Sequence, residues 1–233
     1  MTLRAMLSPV IRVALVAWLL SAASRSDAAP SEFNSLNSGA TSIQLLTFGG
    51  GYRGSLRTSG IYLKSHFSDR GALRAGVDFS LSESSGKGSR PPDGGNDRNY
   101  YVIAAAEIDE YVDASGPVTA FIGVGPYWAK SREFYERTET YDYDPTTPVT
   151  YYSKYERRSW EVGASAVVGV EWFFKRRLSL LGRVGATLGF GKTRERSRDY
   201  STYPSFSETS RRFDASTAQA GTSGAALGLG VYF

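Results

Sequence analysis

The chain of 233 residues contains no cysteine and a single histidine. Because small secreted domains usually depend on disulfides, the missing cysteines exclude that class, and stability has to come from a sheet or a packed core. Beyond residue 30 there is also no long apolar run, and the mean hydropathy is −0.28. Hydropathy alone indicates a soluble protein, but membrane barrel strands alternate apolar and polar residues and give only a weak hydropathy signal.

A strong excess of charge is missing as well. The chain carries 27 Lys and Arg against 23 Asp and Glu, a formal net charge of +4. Arg4, Arg12, Arg25 and Asp27 account for +2 of this, which leaves +2 on the rest. Such a mild balance does not indicate a nucleic-acid partner, and we expect none.

The first 28 residues have the features of a cleaved secretory signal peptide. Two arginines precede an apolar run over residues 13–20, and small residues continue to Ala28. The run is too short for a membrane-spanning helix, which needs about 20 apolar residues. We expect cleavage after Ala28, with Ala23 as the alternative, and we interpret residues 29–40 as an N-terminal linker.

What the chain has in abundance is glycine and aromatic residues in runs of period two. There are 25 Gly, 15 Tyr, 12 Phe and 4 Trp. In the run from Trp160 to Phe174 the even positions are all apolar, while most odd positions are polar or small. This alternation is typical of strands with two different faces. Eight strands are predicted, near residues 41–52, 59–68, 72–84, 99–112, 117–133, 152–174, 178–194 and 208–233. Short connections alternate with long polar loops, predicted at residues 85–98, 134–151 and 195–207.

The small and charged faces of these strands predict the inside of a barrel. An eight-stranded barrel is wide enough only for side chains to fill it, and buried charges need partners of opposite sign. We therefore expect a lumenal charge network of Lys64, Arg74, Asp78, Glu107, Asp109, Glu161, Glu171 and Arg183. The opposite faces are apolar with aromatic ends, as expected of a wall that contacts a bilayer.

The chain resembles the small outer-membrane barrels of the OmpA and OmpX type. Its last strand ends in an aromatic residue with apolar residues at alternate preceding positions, namely Ala225, Leu227, Leu229, Val231 and Phe233. The resemblance implies an all-β, eight-stranded antiparallel up-and-down transmembrane barrel over residues 41–233. It also implies a Gram-negative outer-membrane location and a C-terminal segment read by the barrel-assembly machinery. Nothing resembles a peptidoglycan-binding domain, so the single-barrel, OmpX-like form fits better. We expect a monomer without cofactor or metal.

A basic cluster near the end of the chain predicts contact with lipopolysaccharide, because guanidinium groups match phosphate geometry. Its members are Lys192, Arg194, Arg196, Arg198, Arg211 and Arg212. The alternative is a solvated hairpin of mixed charge, which includes Glu195, Asp199 and Glu208.

A tyrosine-rich segment predicts a recognition surface for an unknown extracellular ligand, since Tyr offers contact area at low entropic cost. Its members are Tyr135, Tyr141, Tyr143, Tyr151 and Tyr152. The alternative is that these rings only hold a long hairpin together. The flanking strands exceed the 9–11 residues that a membrane strand needs, so we expect them to protrude from the bilayer.

His66 and Ser68 form the only pair that suggests catalysis. Outer-membrane lipid A deacylases of the PagL type use a His-x-Ser pair, and a His beside a Ser can activate a nucleophile. In this chain the pair falls at the periplasmic end and faces inward. We therefore predict a non-enzymatic barrel that supports the outer membrane and presents loops for adhesion or protection. A lipid A hydrolase using His66 and Ser68, or a small channel, is the alternative.

Overall fold

The structure, a computed structural model, describes residues 36–49, 58–87, 94–112, 116–144, 147–202 and 207–233. The predicted signal peptide, residues 1–28, lies outside this part. The described residues form eight strands: β1 Thr41–Gly49, β2 Thr58–His66, β3 Gly71–Lys87, β4 Gly94–Tyr111, β5 Val118–Asp144, β6 Thr147–Lys175, β7 Leu178–Ser201 and β8 Ser207–Tyr232. No helix in the described part is long and apolar enough to cross a membrane.

The eight strands close into a barrel in which each strand pairs with its sequence neighbours. All pairs are antiparallel, and β1 closes the ring against β8, with Ser42 opposite Tyr232 and Gly49 opposite Ala225. Where β1 and β8 pair, closure leaves the paired backbone groups without an open edge. The predicted fold class, an eight-stranded antiparallel up-and-down barrel, is confirmed.

The two ends of the barrel differ. At one end, here called the turn end, β2–β3 and β6–β7 are joined by the short connections 67–70 and 176–177. At the opposite end, here called the loop end, β5 to β8 continue far beyond the point where β1 ends. These four strands have 27, 29, 24 and 26 residues, against 9 in β1.

The prediction of long loops at the loop end is wrong in its extent. Residues 94–98, 134–144, 147–151 and 195–201 belong to strands rather than to loops. Their sequences are mostly polar, so they lack the apolar alternation by which strands are recognised in a sequence. Backbone ladders hold them together with cross-strand pairs such as Tyr135 opposite Tyr155.

The predicted alternation of faces appears directly in the exposure of neighbouring residues. Glu171 is completely buried, while Trp172 is 48% exposed. Trp160, Val162 and Val168 likewise face outward. The charged and small face therefore lies inside, and the apolar face lies outside.

β8 contains a bulge that reverses this alternation. Val184 is opposite Ala225, but Ala186 is opposite Thr222, so β8 has one extra residue in this interval. Toward the turn end the odd-numbered residues of β8 face outward, whereas toward the loop end the even-numbered ones do. Counting back from Phe233, the odd-numbered residues of β8 therefore face outward only as far as Ala225.

Residues 36–40, the only part of the predicted linker 29–40 that is described, pack against the turn end. Leu36 is 2% exposed and belongs to the buried apolar cluster. The backbone N–H of Gly39 donates to the carbonyl of His66 at 2.7 Å. Gly39 has φ of 87°, a left-handed conformation that favours glycine. The described part of this segment thus packs across the turn end.

Candidate functional sites

The first group of lumenal charges lies toward the turn end, around Glu171. Its carboxylate is 2.6 Å from Lys64 Nζ. It also accepts hydrogen bonds from the hydroxyls of Tyr111, Ser179 and Tyr232 at 2.6–2.8 Å. A buried carboxylate is stable only when its lone pairs are satisfied, and these four donors satisfy both oxygens.

The second group joins two arginines through two carboxylates. Arg74 lies 2.6 Å from Asp109 and 3.5 Å from Glu107. Arg183 donates two hydrogen bonds to Glu107, at 2.7 and 2.9 Å. This bidentate geometry is the strongest form of an arginine–carboxylate pair. The second group therefore balances two positive charges with two negative ones.

The two remaining predicted lumenal charges are each hydrogen-bonded by a tyrosine. Tyr62 Oη donates to Asp78 Oδ2 at 2.5 Å. Tyr127 Oη donates to Glu161. Neither carboxylate is ion-paired with a described cation. Both line a cavity of about 280 Å³ inside the barrel.

Side chains fill the lumen toward the turn end. Among the fully buried residues are Arg74, Tyr111, Tyr232, Phe121 and Lys64. These large side chains therefore occupy the described part of the lumen in this region.

Lumenal glycines make room for these large side chains. A Cβ on Gly169 would lie 2.3 Å from the ring of Phe121, and one on Gly76 would lie 2.4 Å from the ring of Tyr62. Such distances are too short for any real contact, so the rings occupy the space that glycine leaves free.

The outer wall carries a continuous apolar band. On β6 it runs from Trp160 to Trp172, which are 44% and 48% exposed. On β7 it includes Leu180, Leu188 and Phe190, exposed by 45%, 57% and 63%. A soluble protein rarely exposes so large a contiguous apolar area.

A dense group of cations borders this band on its loop-end side, where even-numbered residues of β5 to β8 face outward. We call it the cationic surface, and it consists of Lys130, Arg132, Lys154, Arg158, Lys192, Arg194, Arg196, Arg198 and Arg212. The register places Arg132 opposite Arg158, and Arg158 opposite Arg194. Like charges directly opposite each other destabilise a sheet unless an anion lies between them.

Two carboxylates compensate part of this charge. Glu156 lies 2.6 Å from both Arg132 and Arg158. Asp214 lies 3.0 Å from Arg194 and 2.9 Å from Arg212. Partial burial acts to raise the pKa of Glu156, but the hydrogen bond from Arg158 and the charge of Arg132 outweigh it and lower the pKa. Lys192, Arg196 and Arg198 form no ion pair with a described residue.

The bulge of β8 decides which predicted cations join this surface. Arg212 lies opposite Arg196 and therefore on the outer face. Arg211 lies opposite Ser197 and faces the other way, so it does not join Lys192, Arg194, Arg196 and Arg198. Lys130, Arg132, Lys154 and Arg158 belong to the surface but were missed, because strand pairing and not sequence proximity brings them there.

The predicted tyrosine surface is divided between the two faces of the protruding strands. Tyr135 and Tyr151 face the inner side, and Tyr151 is 44% exposed. Tyr152 is on the outer side, where it donates to Glu136 and packs on Tyr200 with ring centroids 5.5 Å apart. The hydrogen bond to Glu136 raises the pKa of Tyr152 to about 12. The side chains of Tyr141 and Tyr143 lie outside the described part.

His66 and Ser68 are not assembled as a catalytic pair. His66 is completely buried, and neither ring nitrogen has a hydrogen-bond partner among the described residues. The Ser68 hydroxyl instead accepts a hydrogen bond from the Gly71 backbone N–H at 2.8 Å. The arrangement gives no support to a hydrolase that uses these two residues.

The C-terminal segment lies at the seam where the barrel closes. Leu227, Leu229, Val231 and Phe233 face outward, with exposures of 71%, 39%, 41% and 64%, and Ala225 is exposed as well. The Phe233 N–H donates to the carbonyl of Thr41 at 3.0 Å. The last residue therefore takes part in joining β8 to β1.

Hydroxyls of lumenal tyrosines are the functional groups that the sequence interpretation missed. Tyr62, Tyr111, Tyr127 and Tyr232 donate to lumenal carboxylates. Their positions on the inward faces of alternating strands were a usable signal. An aromatic ring with a polar tip suits a buried site that needs a donor.

No protein family model matches the chain, and no curated protein matches it. Among solved structures, a major outer membrane protein from Thermus thermophilus is similar, with 14% identity and a TM-score of 0.44 over 84% of this chain and 100% of that one. CarO of Acinetobacter baumannii is similar with 8% identity and a TM-score of 0.40, over 83% and 97% of the two chains. At these levels neither protein's function transfers to this chain. The barrel is established by its own strand pairing.

Proposed function

We propose that this protein is a non-enzymatic integral barrel of a Gram-negative outer membrane, held in the outer leaflet by lipopolysaccharide phosphates on its cationic surface. The observation that carries the proposal is the position of this surface, directly next to an exposed apolar band. A lipid presents the same order of chemistry, with acyl chains beside charged headgroups.

The height of the apolar band supports a membrane-spanning barrel. Trp160 and Trp172 are twelve residues apart on one strand, about 40 Å at the usual rise per residue. With a strand tilt of about 40°, this corresponds to about 30 Å along the barrel axis. The hydrocarbon core of a bilayer is about 30 Å thick. Tryptophan at both limits matches the aromatic girdles of membrane barrels.

The excess of positive charge on the cationic surface supports an anionic lipid partner. Among the residues of β5 to β8 whose side chains the structure describes, its nine cations outnumber the four carboxylates on the same face, which are Glu136, Glu156, Glu208 and Asp214. Opposed arginines such as Arg196 and Arg212 can share a phosphate oxygen anion, which turns a repulsive pair into a binding site.

The protruding strands support a surface-presenting role. Residues 147–159 of β6 continue for about 40 Å along the strand beyond the apolar band. The described side chains of this stretch are mostly polar, and Tyr151 and Tyr155 lie on its inner side. We propose that this sheet extends outside the cell and serves in adhesion or protection.

Membrane fractionation tests the proposal. The protein should be recovered with the outer membrane and should migrate faster in detergent gels before boiling than after it, because a closed barrel resists unfolding by detergent. Recovery in the soluble periplasmic fraction would refute a membrane barrel. If the protein is recovered in the membrane but binds lipopolysaccharide no better than neutral lipid, only the role of the cationic surface is refuted.

A further inference from the structure

The cavity inside the barrel lies between the paired charges of the turn end and the protruding strands. Its volume is about 280 Å³, and Tyr62, Tyr101 and Tyr127 contribute to its walls. The Glu107–Arg183 pair borders it toward the turn end. Glu161 is half-buried and Tyr101 is 38% exposed, so solvent reaches the cavity from the loop end.

The eight predicted lumenal charges are not balanced, and the imbalance is located at this cavity. Three are cations and five are carboxylates. The cations are paired with Glu107, Asp109 and Glu171. The surplus negative charges are Asp78 and Glu161, and both line the cavity.

Asp78 is the more deeply buried of these two carboxylates, and its hydrogen bonding is incomplete. It is only 3% exposed, and its Oδ1 makes no hydrogen bond in the described structure. Its other oxygen accepts a single hydrogen bond from Tyr62. A buried carboxylate with an unsatisfied oxygen is costly, because burial removes the water that would otherwise solvate it.

Every lumenal cation of the predicted network is held in the same way, by a carboxylate together with an aromatic ring. Lys64 lies 5.1 Å from the ring centres of Tyr111 and Tyr232. Arg74 lies 4.8 Å from that of Phe121, and Arg183 lies 5.6 Å from that of Tyr62. Such contacts add to the attraction of the carboxylate.

The cavity repeats this combination of carboxylates and aromatic rings around a space of its own. Asp78 and Glu161 supply the carboxylates, while Tyr101 and Tyr127 supply rings that no described cation occupies. We propose that this cavity binds a small organic cation carrying an amine or guanidinium group, with Asp78 and Glu161 as its carboxylate partners. This site is independent of the lipid contacts of the cationic surface.

Calorimetric titration of the folded full-length barrel in detergent micelles tests the proposal. The probes are butylammonium and butylguanidinium, with butanol as the neutral probe and butyrate as the anionic one. We expect saturable binding of at least one of the two cations. Its affinity should fall by about tenfold in Asp78→Asn and in Glu161→Gln.

Glu83→Gln is the matched control, because it removes one negative charge from an exposed residue outside the cavity. It should leave binding unchanged. Heat-modifiable migration checks that each variant is folded, and Glu161→Gln keeps the test valid if Asp78→Asn does not fold, since Glu161 is less buried. The proposal is wrong if neither cation binds, if butanol binds as tightly, or if a folded Glu161→Gln binds like the wild type.

Discussion

Lys64 Nζ lies 2.6 Å from Glu171 Oε2, and both side chains are completely buried although the residues are 107 positions apart in the chain. The pair joins β2 to β6 across the lumen. Since these strands are not neighbours in the barrel, the contact stabilises the closed ring and not a local hairpin.

Breaking this pair should destabilise the barrel strongly. We expect Lys64→Met to lower the free energy of unfolding by about 3–5 kcal/mol, because it leaves the Glu171 charge buried without a cation. The double variant Lys64→Met/Glu171→Gln should recover part of the loss. Urea unfolding in lipid vesicles measures both. Arg98→Gln, which breaks an exposed pair with Glu83, should cost less than about 1 kcal/mol. An equal loss of unfolding free energy in Lys64→Met and Arg98→Gln would contradict a stabilising role of the buried Lys64–Glu171 pair.

Filling the space beside Phe121 should also be destabilising. A Cβ on Gly169 would lie 2.3 Å from the Phe121 ring, so we expect Gly169→Ala to lower the unfolding free energy by about 1–3 kcal/mol. Gly182→Ala is the control, since its Cβ would meet only Leu227 at 3.8 Å. Both substitutions reduce backbone freedom in the unfolded chain to a similar extent. Thermal unfolding of the two variants therefore separates the steric clash from the effect on the unfolded chain. Equal stabilities of the two variants would count against the clash.

The outward position of Arg212 predicts a specific effect on lipid binding. Arg196→Gln/Arg212→Gln should weaken association with lipopolysaccharide-containing vesicles, and the difference from the wild type should shrink at high salt. Arg157→Gln/Arg211→Gln removes the same charge from the opposite face and should have little effect. Flotation of the folded proteins with vesicles that contain lipopolysaccharide, and with vesicles that lack it, provides the measurement. Equal weakening by the two double variants would mean that only net charge matters.

The carboxylate of Glu156 should titrate at lower pH than an ordinary glutamate. Burial opposes this, but Arg158 and Arg132 lower its pKa. A lowered folded-state pKa means that the contribution to stability is present above the ordinary glutamate pKa of about 4.3 and is lost as the pH falls through the folded-state value. Carboxyl NMR should show the pKa rising in Arg158→Gln and staying low in Arg157→Gln. A wild-type value at or above the ordinary one would refute the interaction.

Phe233 should matter for assembly more than for the finished fold. We expect Phe233→Ala to reduce the amount of folded barrel recovered from the outer membrane, because the outward residue closes the β1–β8 seam and ends the segment that resembles an assembly signal. Val112→Ala, an exposed apolar residue near another turn, is the control. Quantifying heat-modifiable protein in membrane fractions decides the matter, and identical recovery of both variants would count against the signal.

Alternation explains why so much of the barrel was predictable. Side chains alternate between the two faces of a strand. A run such as Trp160 to Phe174 therefore indicates both the strand and the residues that face inward. The inward positions of Glu161 and Glu171 follow from that phase. The predicted set of eight lumenal charges came from the same reasoning.

Other features depended on contacts between distant strands. The lengths of β3 to β7 were underestimated, because segments with water on both faces show no apolar alternation. Pairing of Arg74 with Asp109 and of Arg183 with Glu107 could not be read from the sequence, since alternation gives a face but no partner across the lumen.

By itself, the sequence determined that the chain forms alternating strands with a charged inner face and an apolar outer one, because side-chain direction follows from strand geometry. Tertiary structure decided the rest. The bulge in β8 turned Arg212 outward and Arg211 inward, since one extra residue reverses the alternation. Strand pairing gathered nine cations beside the apolar band, and closure of the ring left Asp78 and Glu161 facing a cavity without a described cation of their own.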